Sequence, residues 1–199
     1  WVATQTIHET LSLLKKNNGM DHIITTREVG AYESKFEKKL ETMAKAMNLK
    51  LTFVWDHTLF DPTELPFEIS DTPNSFSAFR KKVESRPIKF HQDLNHQVSF
   101  YQGRSPWPLS KVMEMSQTSG GEKAAWSHLN EYIWEKQAIL HYKKTRNLSI
   151  GEHVSTKFSK WLSLGVLSPK QIISEIQSFE KKIEKNISTY WVFFELLWR

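Results

Sequence analysis

A chain of 199 residues that is 39% hydrophobic, 13% aromatic and 25% charged can bury one large core or parts of two. Its aromatics exclude a disordered tail, and the absence of cysteine excludes disulfides, thiolate metal centres, iron–sulfur clusters and a cysteine nucleophile, and fits a reducing compartment. Lys and Arg (27) outnumber Asp and Glu (22), giving a formal charge of +5 that permits a nucleic-acid or phosphate partner without requiring one, and no apolar run is long enough for a membrane partner.

Residues 1–65 read as α/β. Ile7, Leu11 and Leu14 form a helical stripe over residues 6–17, closed by Gly19 at the C′ position. The β-branched run at residues 22–26 reads as a buried strand. Residues 32–48 read as a helix, with Phe36, Leu40, Met43, Ala44 and Met47 on one side and lysines on the other. Residues 51–55 form a second strand. Strand, helix and strand at this spacing imply a parallel βαβ unit. A doubly wound sheet needs more strands, expected upstream of Trp1.

Residues 66–119 read as a long inter-domain connector, broken by Pro66, Pro73, Pro87, Pro106 and Pro108. One helix is expected inside it, over residues 75–85, starting near Asp71 or Asn74. From Gly120 onward the pattern is all-α. A helix over residues 122–143 presents Ala125, Leu129, Ile133, Ala138 and Leu140 at mixed three- and four-residue steps. A short helix over 157–164 is closed by Gly165. Ser168 and Pro169 open the next as N-cap and first helical residue, with Ile172, Ile176, Phe179 and Ile183 on its face. Ser188 is expected to cap the last helix. The chain starts at Trp1 and ends within an apolar helical pattern, so both ends are expected to be truncations of a longer protein.

Two constellations are candidates to carry chemistry. Ser155, Thr156, Lys157, Phe158 and Ser159 crowd an expected helix N-terminus, where hydroxyls, a lysine and free N–H groups suit an anion such as a diphosphate. The alternative is an ordinary N-cap with solvated neighbours. Glu195, Trp198 and Arg199 lie at three- and four-residue spacings on one helical face. A carboxylate, an indole plane and a guanidinium suit a flat heteroaromatic ligand or a nucleobase. The alternative is an i,i+4 ion pair beside a buried Trp. The eight histidines show no ligand spacing, so no metal site is expected, and there is no GxSxG, P-loop or GxGxxG motif.

The blocks GGEKAAWSHLNEYIWE, YKKTRN, STKFSKWLSLGVLSPKQI and NISTYWVFFELLWR resemble, in that order, the photolyase/cryptochrome family and its DASH cryptochrome branch. Upstream, TLFDPTELPF with FSAFRKKVE is similar to that branch's connector, and TTREVGAYE to its antenna segment. The resemblance implies a partial Rossmann-like antenna domain over 1–65, the connector over 66–119, and the first part of a helical FAD-binding domain over 120–199. It implies that Ser155, Thr156, Lys157, Phe158 and Ser159 hold the FAD diphosphate and ribityl region. Tyr142 matches a flavin-contacting position and Arg199 an arginine lining the flavin cavity. Glu195 matches the carboxylate that hydrogen-bonds damaged pyrimidines, Trp198 an aromatic packing against them, and Glu28 an acidic contact to the antenna 5,10-methenyltetrahydrofolate.

The implied activity is that of a deoxyribodipyrimidine photo-lyase. Light collected by the folate reaches reduced FAD, which donates an electron to a cyclobutane pyrimidine dimer in single-stranded DNA; the ring splits and the electron returns. The alternative is a blue-light photoreceptor that binds FAD and nucleic acid without repair. A monomer is expected, in the cytoplasm of a bacterium or an organelle of a eukaryote. The fragment alone is expected to hold FAD poorly and to be inactive. Lys160 stands where the family usually has Pro, His153-Val154 where it has Asp-Tyr, and Asn147-Leu148 where it has Asn-Gly.

Overall fold

The computed structural model describes residues 6–90, 120–148 and 150–198. The chain divides into two compact units. The described residues 6–55 belong to the first, and the described residues 56–90, 120–148 and 150–198 to the second.

In the first unit, α1 (Ile7–Asn18) opens on a capping box: Thr6 Oγ1 accepts from the Glu9 N–H, and the Glu9 carboxylate accepts from the Thr6 N–H at 2.9 Å. It ends at Gly19, whose N–H donates to Lys15 O at 3.1 Å. β1 (His22–Thr26) and β2 (Lys50–Val54) pair in parallel, from His22 opposite Lys50 to Thr26 opposite Val54. The crossover is α2 (Ala31–Ala46), which buries Leu40 and Ala44. These elements form the expected βαβ unit. Arg27, just past β1, lies over the Phe53 ring at 4.3 Å and reaches Glu37 of α2 at 3.9 Å.

The second unit begins earlier than the pattern of prolines implies. Leu59 and Phe60 are buried in one core with Leu129, Ile133, Phe158 and Ile172. The chain therefore changes units at Trp55, not at residue 65. Apolar residues between the prolines are the reason: Leu65, Phe67, Phe76 and Phe79 pack on that core, so residues 66–90 are part of the helical body rather than a free connector. Residues 91–119 of the expected connector lie outside the described residues. The helix in this stretch, α3 (Phe76–Val83), is capped by Ser75, whose Oγ accepts from Ala78 N–H at 3.3 Å. Asp71 and Asn74 are not its caps.

The single helix expected over 122–143 is broken. α4 (Gly121–Asn130) runs into a π-helical turn, Glu131–Glu135. Gln137 is left-handed at φ 48°, a 3-10 turn covers Ala138–His141, and α5 (Tyr142–Thr145) follows. Tyr132, Ile133, Ile139 and Tyr142 are all buried. No straight helix presents those four positions on one face, and the wide turn with the left-handed residue turns them inward. The uneven apolar spacing was the signal of this break. α6 (Ser159–Ser163) is shorter than expected. α7 (Pro169–Lys182) opens on the expected Ser168 cap, completed as a box by Gln171. Ile183, expected on its buried face, is the exposed C-cap that follows it. α8 (Ile187–Leu196) is capped by Asn186, whose Oδ1 accepts from Ser188 N–H at 2.8 Å and Thr189 N–H at 3.2 Å. Ser188, expected as the cap, is buried and accepts from Lys143 N–H at 3.2 Å.

Candidate cofactor and nucleic-acid site

The hydroxyl cluster sits on a loop pinned from below. Gly151 has φ 135°, and a Cβ there would lie 2.4 Å from Val154 Cγ1, so the turn requires glycine. Lys157 is left-handed at φ 50°, and its Nζ donates to Gly151 O at 3.2 Å. His128 Nε2 donates to Thr156 O at 2.8 Å. Phe158 is buried, with the His128 and Tyr132 rings each 5.8 Å away and edge-on. Ser155 and Thr156 are half-buried and Ser159 is exposed. Their hydroxyls make no hydrogen bond among the described residues.

This geometry corrects the placement of the cluster as the capped N-terminus of a helix. The residue before α6 is Phe158, and no side chain caps that helix. Five residues of helix also carry too little dipole to hold an anion. What the loop offers is three hydroxyls without a hydrogen bond among the described residues, beside a left-handed lysine whose Nζ is tied to Gly151 O. Lys160, in place of the family's Pro, lies over the Trp161 ring at 4.3 Å.

The second group forms around α5 and α8, which pack together. Asn186 Nδ2 donates to Leu140 O at 3.2 Å and fixes the start of α8 beside α5. Arg146 then ion-pairs with Glu195 through Nη1 and lies over the Trp191 ring at 4.5 Å. Glu195 therefore pairs across to the YKKTRN block; the i,i+4 partner suggested by spacing, Arg199, lies outside the described residues. Trp198 is not buried: it is 61% exposed and stacks on Phe76 at 3.7 Å and 14°. Tyr142 is buried one turn before Arg146. Burial raises its phenol above the usual range, and the Arg146 charge partly offsets this. Tyr132 is buried too, its phenol raised by desolvation and by the neighbouring Tyr142, and its hydroxyl has no partner among the described residues.

Glu28 is half-buried in the first unit, and its N–H donates to Glu37 Oε1 at 2.8 Å. Among the described residues, Glu131, Glu152 and His153 bring three possible ligand atoms within 4.8 Å of one another. His153 Nε2 is 3.5 Å from Glu131, and its Nδ1 is buried without a partner among the described residues. A metal on Nε2 would leave the Nδ1–H buried and unsatisfied, so the cluster is better described as a histidine–carboxylate contact. Sequence reasoning missed Arg146, Phe76 and His128. Arg146 stood inside a quoted block, but only contact across two helices gives it a role.

Comparison with known proteins bears on the whole assembly. A family model described as DNA photolyase matches residues 1–98. Cryptochrome DASH of Gloeobacter violaceus is 36% identical over 185 residues, covering 86% of this chain and 37% of that protein. The chloroplastic/mitochondrial cryptochrome DASH of Oryza sativa is 37% identical over 172 residues, 78% of this chain and 30% of that protein. The crystal structure of a Synechocystis cryptochrome superposes with a TM-score of 0.76 at 32% identity, covering 96% of this chain and 42% of that one.

The chain belongs to the photolyase/cryptochrome family. Within it, the similarity runs to the DASH branch. A class III photolyase from Agrobacterium tumefaciens shares the fold at a TM-score of 0.73 and 16% identity. The chain spans well under half the length of these relatives. The relatives include bacterial and organellar proteins, and among the described residues no helix is long and apolar enough to cross a membrane.

Proposed function

We propose that the protein of which this chain forms part is an FAD-dependent, blue-light-driven lyase that repairs cyclobutane pyrimidine dimers, preferentially in single-stranded DNA. The observation that carries this reading is Glu195, held by Arg146 three residues before an exposed indole, Trp198. A carboxylate fixed beside a flat aromatic can accept hydrogen bonds from a flipped base while the indole stacks on it.

The donor set fits FAD. Ser155, Thr156 and Ser159 present hydroxyls that have no partner among the described residues, Lys157 supplies positive charge, and Phe158 anchors their loop in the core. In this reading Tyr142 and Arg199 line the flavin cavity, and Glu28 contacts a folate antenna, 5,10-methenyltetrahydrofolate. The flavin, when bound, supplies photochemical electron donation to the dimer. The chain's own contribution is to hold phosphates, exclude water around Tyr142, and keep a carboxylate where charge develops on the pyrimidines. Residues 6–55 would form part of the antenna domain and the helical unit part of the FAD domain. The +5 charge suits a phosphate backbone and makes DNA binding salt-dependent.

The test is Glu195→Ala in the whole protein. Light-dependent dimer splitting in irradiated oligothymidylate falls while flavin absorbance stays bound to protein. Loss of both together assigns Glu195 a structural role instead. The relatives carry the name cryptochrome, which favours photoreception as the second reading; bound flavin with no light-dependent splitting by the unaltered protein would select it.

A further inference from the structure

α3 and α8 meet in a regular ladder. Phe76 stacks on Trp198, Arg80 lies over the Phe194 ring at 5.5 Å, and Glu84 accepts from the Tyr190 hydroxyl at 2.9 Å. The residues step by four upward along one segment and by four downward along the other. Each step is about one helical turn, so one face of each element is matched, in antiparallel register, to the other. Phe76 also meets Phe194 edge-on at 5.3 Å and 89°. Its position is set locally: Ser75 caps α3 and makes Phe76 the first helical residue.

We propose that Phe76 is a positioning residue for Trp198. Resting on the dimer-contacting role proposed above for Trp198, the ladder holds the indole plane so that one face lies on Phe76 and the other is open to a base. Two observations support this. The rings are nearly parallel, at 14°. The indole remains 61% exposed although one face is covered. An exposed Trp with no ring beneath it samples several rotamers, and each lost rotamer must be repaid when a base stacks. A fixed plane removes that cost before binding. The specificity follows too: a rigid flat face beside the fixed Glu195 carboxylate suits a base that is already unstacked.

The experiment uses the whole protein labelled with 5-fluorotryptophan, with the Trp198 fluorine line assigned by its loss in Trp198→Phe. Phe76→Leu keeps apolar volume and removes the flat face; Phe76→Tyr keeps the face. The expected result is a displaced Trp198 line in Phe76→Leu and an unchanged one in Phe76→Tyr. Binding of irradiated over unirradiated oligothymidylate should weaken about two- to tenfold in Phe76→Leu, the worth of one aromatic pair. Phe76→Tyr should bind as the unaltered protein does. Thermal melts of both variants identify any that fail to fold, and Arg80→Ala then tests the same ladder from its middle rung through the same fluorine line. An unmoved Trp198 line in Phe76→Leu overturns the proposal. So does a preference for irradiated DNA that is lost in Trp198→Ala but kept in Phe76→Leu, and that result leaves the repair reading standing. No preference in the unaltered protein overturns the repair reading instead, while the fluorine line still decides whether Phe76 holds Trp198.

Discussion

Side chains in the Arg146–Glu195 pair are 26% and 36% exposed, so solvent screens much of their attraction. Such pairs contribute about 0–1 kcal/mol to stability. Glu195→Ala should therefore lower unfolding free energy by less than about 1 kcal/mol in denaturant titration. A much larger loss would mean that the carboxylate is structural rather than poised for a ligand. Tyr132 behaves oppositely. Its hydroxyl is buried with no partner among the described residues, so Tyr132→Phe removes a desolvated group and should be neutral or stabilising by up to about 1 kcal/mol. Its raised pKa also has a direction in pH. An unfolded tyrosine ionises near pH 10, and the buried one above that. Stability is thus fully present below about pH 10 and falls as pH rises past it, because only the unfolded chain sheds the proton. Unfolding measured from pH 8 to 11 should show a shallower alkaline decline in Tyr132→Phe.

At the scale of elements, caps decide where helices begin. Ser168 with Gln171 and Pro169 forms a complete start signal within four residues, and α7 begins there. Ser168→Ala should cost about 0.5–2 kcal/mol in thermal unfolding. For α8 the choice fell to Asn186 rather than Ser188. Asn186 offers an acceptor to two N–H groups and a donor to Leu140 O, whereas Ser188 faces inward to Lys143. The stretch from α4 to α5 carries the opposite lesson. Its residues favour helix throughout, yet burial of Tyr132, Ile133, Ile139 and Tyr142 outweighs a continuous ladder and drives a π turn and a left-handed Gln137.

At the scale of the molecule, the assignment of residues 56–90 to the helical unit rests on more than apolar contact. Lys170 Nζ reaches Glu64 Oε2 at 3.2 Å, with the two side chains only 6% and 9% exposed. Breaking such a pair from one side leaves a buried charge and costs about 3–5 kcal/mol. Lys170→Met should lower stability by that amount, and adding Glu64→Gln should restore most of it. Additive losses instead would show that the pair is not coupled.

Periodicity, caps and turn residues are local, and they were legible in the residue order: the parallel βαβ unit, the start of α7, the helical second half. The family was legible for a related reason, since several blocks in fixed order are specific even where each alone is not. Other features depend on residues far apart in the chain. Glu64 meets Lys170 across 106 residues, as does Glu84 with Tyr190, and Arg146 turns to Glu195 rather than leaving it to a neighbour on its own helix. Spacing along one helix names the side chains that share a face. Which charge or ring that face meets is decided by packing between elements, because Coulomb attraction, stacking and burial act through space and not along the sequence. The order of residues thus marked most of the elements and the residue types gathered at 155–159 and 195–198, and tertiary packing decided that the hydroxyls of 155, 156 and 159 make no hydrogen bond among the described residues, that Glu195 is held by Arg146, and that Trp198 rests on Phe76.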